Sequence, residues 1–166
     1  MSNILPVCLA AGLLGLAAVP ASAAPSSADR DFAIKAASGG ISEVETAQLA
    51  QQRATLPQTK QFAQRMIDDH TAANNELMQI ARQANITLPS QPTGKDASEA
   101  QTLQGLNGAQ FDQAYAQDEL RDHQQTVQLF RKEADSGQDP TLKAFALKTL
   151  PVLQQHLQLA EALNKH

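Results

Sequence analysis

The residues able to do chemistry here are three histidines and two glutamates. His70, His123 and His156, with Glu43 and Glu119, all fall on the apolar side of long helical patterns. Imidazoles and carboxylates gathered in this way are ligands for a single divalent transition-metal ion, Zn, Mn, Fe, Ni or Cu. Asp69 and Tyr115 are placed to support such a site from behind, by hydrogen-bonding a ligand instead of the ion. The same groups can equally form a buried network in which the two glutamates accept from imidazole N–H groups and fix helix register, with no ion at all. Residue types alone leave both open. The spacing does exclude one enzyme class. A di-iron carboxylate centre draws Glu-x-x-His from two helices, but the residues three before His70, His123 and His156 are Ile67, Leu120 and Leu153. Ferroxidase or oxygen-activating di-iron chemistry is therefore not expected, and the chain leans away from being an enzyme. Nucleophilic catalysis has no support either, since the one Cys is Cys8 and Ser42 faces the polar side of its helix with no His at helical spacing.

These residues need elements to hold them, and composition says which. The 166 residues carry 13 Lys and Arg against 17 Asp and Glu, a net charge of −4. No basic footprint exists for nucleic acid or for an anionic membrane surface. Only 4% of residues are aromatic, while Ala, Gln and Leu abound, which favours helices over strands. Residues 1–23 read as a secretory signal peptide: an uncharged start, an apolar run from Cys8 to Val19 and the small residues Ala21-Ser22-Ala23 at the cleavage site. Residues 24–28 form a linker and 29–166 the domain. The expectation is an exported protein of the periplasm or cell envelope, soluble after cleavage near Ala23, with no integral membrane span and no Cys in the mature chain.

Helical periodicity then marks four long segments, with no internal repeat or low-complexity tract standing out. Segment A runs from about Asp29 to Ala54 and segment B from the Thr55-Leu56-Pro57-Gln58 cap to about Ala84. A long connection from Asn85 to Lys95 leads to a short helix over Asp96–Leu106. Segment C follows Asn107-Gly108 and ends near Asp135, and segment D runs from Asp139-Pro140 to about Asn164. Pro151 removes one backbone bond a turn before His156 and should kink segment D. Phe62, Met66, Leu77, Phe111, Phe130, Phe145, Leu153, Leu157 and Val152 lie on apolar faces. Four such helices specify an all-α, up-down four-helix bundle with an extra short helix in the long B–C connection. With both short turns at one end, Glu43 and His70 lie roughly 19 and 22 Å down their helices, and His123, Glu119 and His156 roughly 21, 27 and 28 Å down theirs. All five then share one layer. Asp112, roughly 16 Å from His123 along the same helix, stays outside it.

The order Gly39-Gly40-Ile41-Ser42-Glu43, Phe62-Ala63 with Asp69-His70, Gly108-Ala109-Gln110-Phe111-Asp112 with Tyr115 and His123, and Leu150-Pro151 with His156-Leu157 resembles one family. It is that of exported bacterial proteins catalogued as domain of unknown function family forty-one forty-two, regarded as ferritin-like. The resemblance spans about Asp29 to Leu163 and implies a ferritin-like bundle in the cell envelope, with no activity attached. Two functions follow as expectations: an exported metal-binding bundle, or a non-catalytic envelope interaction or structural module whose His/Glu cluster is only a hydrogen-bonded network.

Overall fold

The computed structural model describes residues 24–165, so the proposed leader lies outside the described residues. The fold is all-α, with five helices and no strand among the described residues: α1 (Ser27–Arg53), α2 (Pro57–Gln83), α3 (Gly94–Gln104), α4 (Gly108–Ser136) and α5 (Pro140–Leu163). None is long and apolar enough to cross a membrane.

Local chemistry explains the bounds. Ser26 and Asp29 form a reciprocal capping box, which starts α1 two residues ahead of Asp29 by satisfying donors at the helix start. Pro57 and Pro140 occupy first-turn positions, where a missing N–H costs nothing. Asp139 caps α5 by accepting from the backbone N–H groups of Thr141 and Leu142. Leu56 and Asn107 sit at the N-cap positions of α2 and α4 without a side-chain bond. Gly108 takes a φ of 59°, which its lack of a Cβ allows. Helix α5 continues through Pro151.

Helix α1 packs on α2 and α4 on α5, while α1 also meets α4 and α2 meets α5. Along α1 and α4, Phe32 stacks edge-on to Phe130 at 5.0 Å while the Thr55 N–H donates to Asp112 at 2.9 Å, so these helices are antiparallel. Helices α2 and α5 are antiparallel too, with Arg65 on Gln155 and Lys148 on Glu76. Helix α3 returns the chain along α1, from Thr93 beside Ser38 to the segment whose carbonyls bond Arg53. The two short turns therefore lie at opposite ends of the molecule, not at one end as in an up-down bundle. The long connection reverses the second hairpin.

The hairpins also repeat one another, a relation the bare sequence conceals. Asp29, Phe32, Ala33, Thr55, Pro57, Phe62 and Ala63 recur, at one constant offset along the chain, as Asp112, Tyr115, Ala116, Gln138, Pro140, Phe145 and Ala146. The contacts repeat with them: Asp112 accepts from the Thr55 N–H and Asp29 from the Gln138 N–H, each at 2.9 Å. Each hairpin's turn is thus held by a buried aspartate from the start of the other.

Two apolar clusters form the core. One gathers Phe32, Leu77, Phe130, Phe145 and Leu153, the other Phe62, Met66, Phe111, Tyr115 and Leu163. Leu157 is half-buried, and Val152 is exposed, because its position falls at the edge of the α5 stripe. Ser42 is not on a polar face: it is buried beneath α3 and donates to the Asp96 carbonyl.

Candidate metal centre

Along each of the four long helices, the polar residues in question lie between the last member of one apolar cluster and the first member of the other. Helix α1 supplies Glu43, α2 His70, α4 Glu119 and His123, and α5 His156, all buried. Charged or polar groups at this depth are costly unless they find partners.

The three imidazoles converge. Ring centroids are 5.7 Å apart for His70 and His123, and 5.4 Å apart for His156 with either of the others. One ring nitrogen from each lies within 4.8 Å of one from each of the other two. Tetrahedral zinc, with Zn–N near 2.0–2.1 Å, needs those nitrogens about 3.4 Å apart, a closure within reach of small side-chain rotations.

Two of the three rings have their outer nitrogen already occupied. His123 Nδ1–H donates to the Glu119 backbone carbonyl at 2.9 Å, one helical turn back. His156 Nε2–H donates to the half-buried Asp69 carboxylate at 2.7 Å. These bonds fix each tautomer and leave a lone pair on the other nitrogen. The fully buried ring nitrogens without a hydrogen-bond partner are His123 Nε2, His156 Nδ1 and His70 Nε2. Burial holds the His70 imidazole well below its usual range, and the adjacent His123 and His156 rings push the same way. Burial likewise draws His156 down to about 4, against the opposing pull of Asp69. Both rings are therefore neutral near pH 7, the form that binds a metal.

The glutamates occupy the other edge of His123. Glu119 Oε2 lies 3.4 Å and Glu43 Oε1 3.8 Å from His123 Nδ1, not from its free Nε2. These three residues form a second convergent group that shares only His123 with the first. Burial, then the neighbouring Glu43, holds the Glu119 carboxyl well above the carboxylate range. Burial, then Glu119 and Glu43, also pushes the Tyr115 phenol well above its usual value. The five residues anticipated as one layer are together in space, but divided by the His123 ring into a three-imidazole group and a carboxylate pair. One ion cannot reach donors on both edges of the same ring.

Asp69, expected as a supporting residue, bonds one histidine of the layer, His156, and also accepts from Arg65 Nε at 3.4 Å, one turn earlier on α2. Asp68 is exposed. Asp112, beyond this layer, ties the α1–α2 turn to α4. Two features were not anticipated from the sequence: the clamp made by Asp29, and a narrow, partly open cavity touching Glu43 and His70. The first signal was the paired spacing of the two aspartates, and the second the run of small residues Ala36, Gly39, Gly40 and Ala73.

A family model described as Domain of unknown function (DUF4142) matches residues 15–163. No curated protein and no solved structure matches the chain.

Proposed function

The chain belongs to this DUF4142 family, and we propose that it is a metal-binding protein holding one divalent transition-metal ion through His70, His123 and His156. One observation carries the reading. His70, His123 and His156, on three helices, each bring a ring nitrogen within 4.8 Å of the others, each has one buried ring nitrogen without a hydrogen-bond partner, and in two of them the opposite nitrogen is anchored so that this lone pair is free. Asp69 supports His156 from behind, and Glu43 and Glu119 tune the centre through the far edge of His123 without binding the ion. An all-imidazole set suits Zn, Cu, Fe or Ni better than Mn, which favours oxygen donors. A hydrogen-bonded network without an ion accounts for the His156–Asp69 bond and the Glu43–Glu119 pair, but leaves those three nitrogens unsatisfied.

The scaffold belongs, in this reading, to the ferritin-like four-helix bundles. Its support is the single long connection between two antiparallel hairpins, the topology that sets such bundles apart from those joined only by short loops. We place the protein in the periplasm or envelope, on the leader-like segment before Ala24. Intact mass of the exported protein, beginning near Ala24, checks that assignment.

The metal reading is tested by thermal melts of untagged wild type and His156→Ala with Zn, Cu, Fe, Ni and Mn, against a chelator control. An ion at about 100 times its Kd should stabilise the wild type by about 2.7 kcal/mol and leave His156→Ala unmoved. A flat response to every ion would leave the network as the better account.

A further inference from the structure

The scaffold repeats but the site does not. Under the offset that relates Asp29 to Asp112 and Phe62 to Phe145, the counterparts of His123, Glu119 and His156 are Gly40, Ala36 and Ala73. Three long polar side chains in one half are replaced in the other by a hydrogen atom and two methyl groups. The space this leaves is a narrow, partly open cavity of about 30 Å³, whose wall includes those three small residues together with Glu43 and His70. About 10–15 Å³ holds one water, so the cavity takes a molecule of two or three heavy atoms. Glu43 Oε2 is buried without a hydrogen-bond partner, and His70, whose Nε2 is given to the ion, brings the centre to the cavity wall.

The cavity has an entrance. A groove of about 400 Å³ on the α1–α4 face, at the start of α3, shares Lys35, Gly39, Glu43, Thr126 and Leu129 with the cavity wall. Gly39 lies within α1, where glycine weakens a helix. A Cβ at Gly39 would meet nothing within 4 Å, whereas one at Gly40 would collide with the Asn74 side-chain amide. Close helix contact therefore explains Gly40 and does not explain Gly39. An open passage does.

We propose that Gly39 marks the entrance through which the centre exchanges a ligand of two or three heavy atoms with an oxygen or nitrogen donor, along a path lined by Glu43 and Thr126. The inference rests on the three-histidine reading above: an ion with three protein donors keeps a further position for an exogenous ligand. The size of the cavity sets the ligand class, and Glu43 is, with Lys35 and Thr126, one of the polar residues common to groove and cavity.

The test uses untagged protein loaded with Cu(II), titrated with azide and with pyridine, a nitrogen donor too large for the cavity. Visible absorption and electron paramagnetic resonance of the copper are the readouts. Azide should change both spectra and pyridine neither. Gly39→Leu and, independently, Thr126→Leu should weaken the azide response by about tenfold or more, with unchanged helical circular dichroism and unchanged copper spectra before azide. A wild-type azide affinity in both variants would overturn the passage, and an equal response to pyridine would overturn the size limit. Copper that binds but ignores azide would overturn the open position while sparing the three-histidine reading. Failure of the wild type to hold copper would overturn that reading and this proposal together.

Discussion

His156 has two nitrogens with different tasks. Its Nε2–H is held by Asp69 at 2.7 Å, which leaves Nδ1 for an ion, and removing such a support commonly lowers metal affinity about 10–100-fold. Asp69→Ala should show that loss in a chelator competition while helical content stays constant. An unchanged affinity would assign Asp69 a purely structural part. The same residue sets a pH window. Burial holds the His156 pKa at about 4 in the fold, whereas an unfolded histidine titrates near 6.5. Between those values the unfolded chain binds the extra proton, so the contribution is complete above about pH 6.5 and is lost as the pH falls towards 4. In metal-free protein, the urea stability of wild type relative to His156→Gln should fall by on the order of 3 kcal/mol across this window. A relative stability that is flat or rises on acidification would contradict the buried neutral ring. The inward direction of all three histidines was legible from a period of 3.6 residues. Which nitrogen each would present was not, because tautomers follow from carbonyls and carboxylates that only the fold brings near.

At the scale of the element, α1 is the least amphipathic of the long helices, and its adjacent glycines divide two roles. Gly39→Ala should raise stability by about 1 kcal/mol, because the new methyl gains helix propensity and meets no neighbour. Gly40→Ala should lower it, since the Asn74 amide must be displaced. Chemical denaturation of the two variants side by side checks the distinction, and equal effects would remove it. Helix bounds were legible to within a few residues because Pro57, Asp139 and Pro140 punctuate the chain, whereas Ser26, read as linker, caps α1. The burial of Ser42 was not, for it depends on the short α3 covering a face that periodicity alone reads as polar.

At the scale of the whole molecule, two aspartates at opposite ends join the hairpins. Asp29→Ala and Asp112→Ala should each cost about 1–3 kcal/mol by leaving turn donors such as the Gln138 and Thr55 N–H groups unpaired. Because the sites are far apart, the double variant should lose close to the total of the two, to within about 0.5 kcal/mol. Strong coupling in urea denaturation would mean that the ends are not independent. The repeat behind this arrangement was not legible because it survives at scattered positions, an aspartate, an aromatic-alanine pair, a proline and a Phe-Ala pair. The layer of Glu43, His70, Glu119, His123 and His156 was legible even though the turns had been placed at one end. Those residues sit near the middle of their helices, and a mid-point has nearly the same depth from either end.

The central claim is that one ion sits among three imidazoles, and anomalous diffraction from crystals of the zinc-loaded protein tests it most directly. The account predicts a single peak per chain about 2.0–2.1 Å from His70 Nε2, His123 Nε2 and His156 Nδ1. A peak on the Glu43 and Glu119 oxygens beyond His123, or none among the three rings, would contradict it.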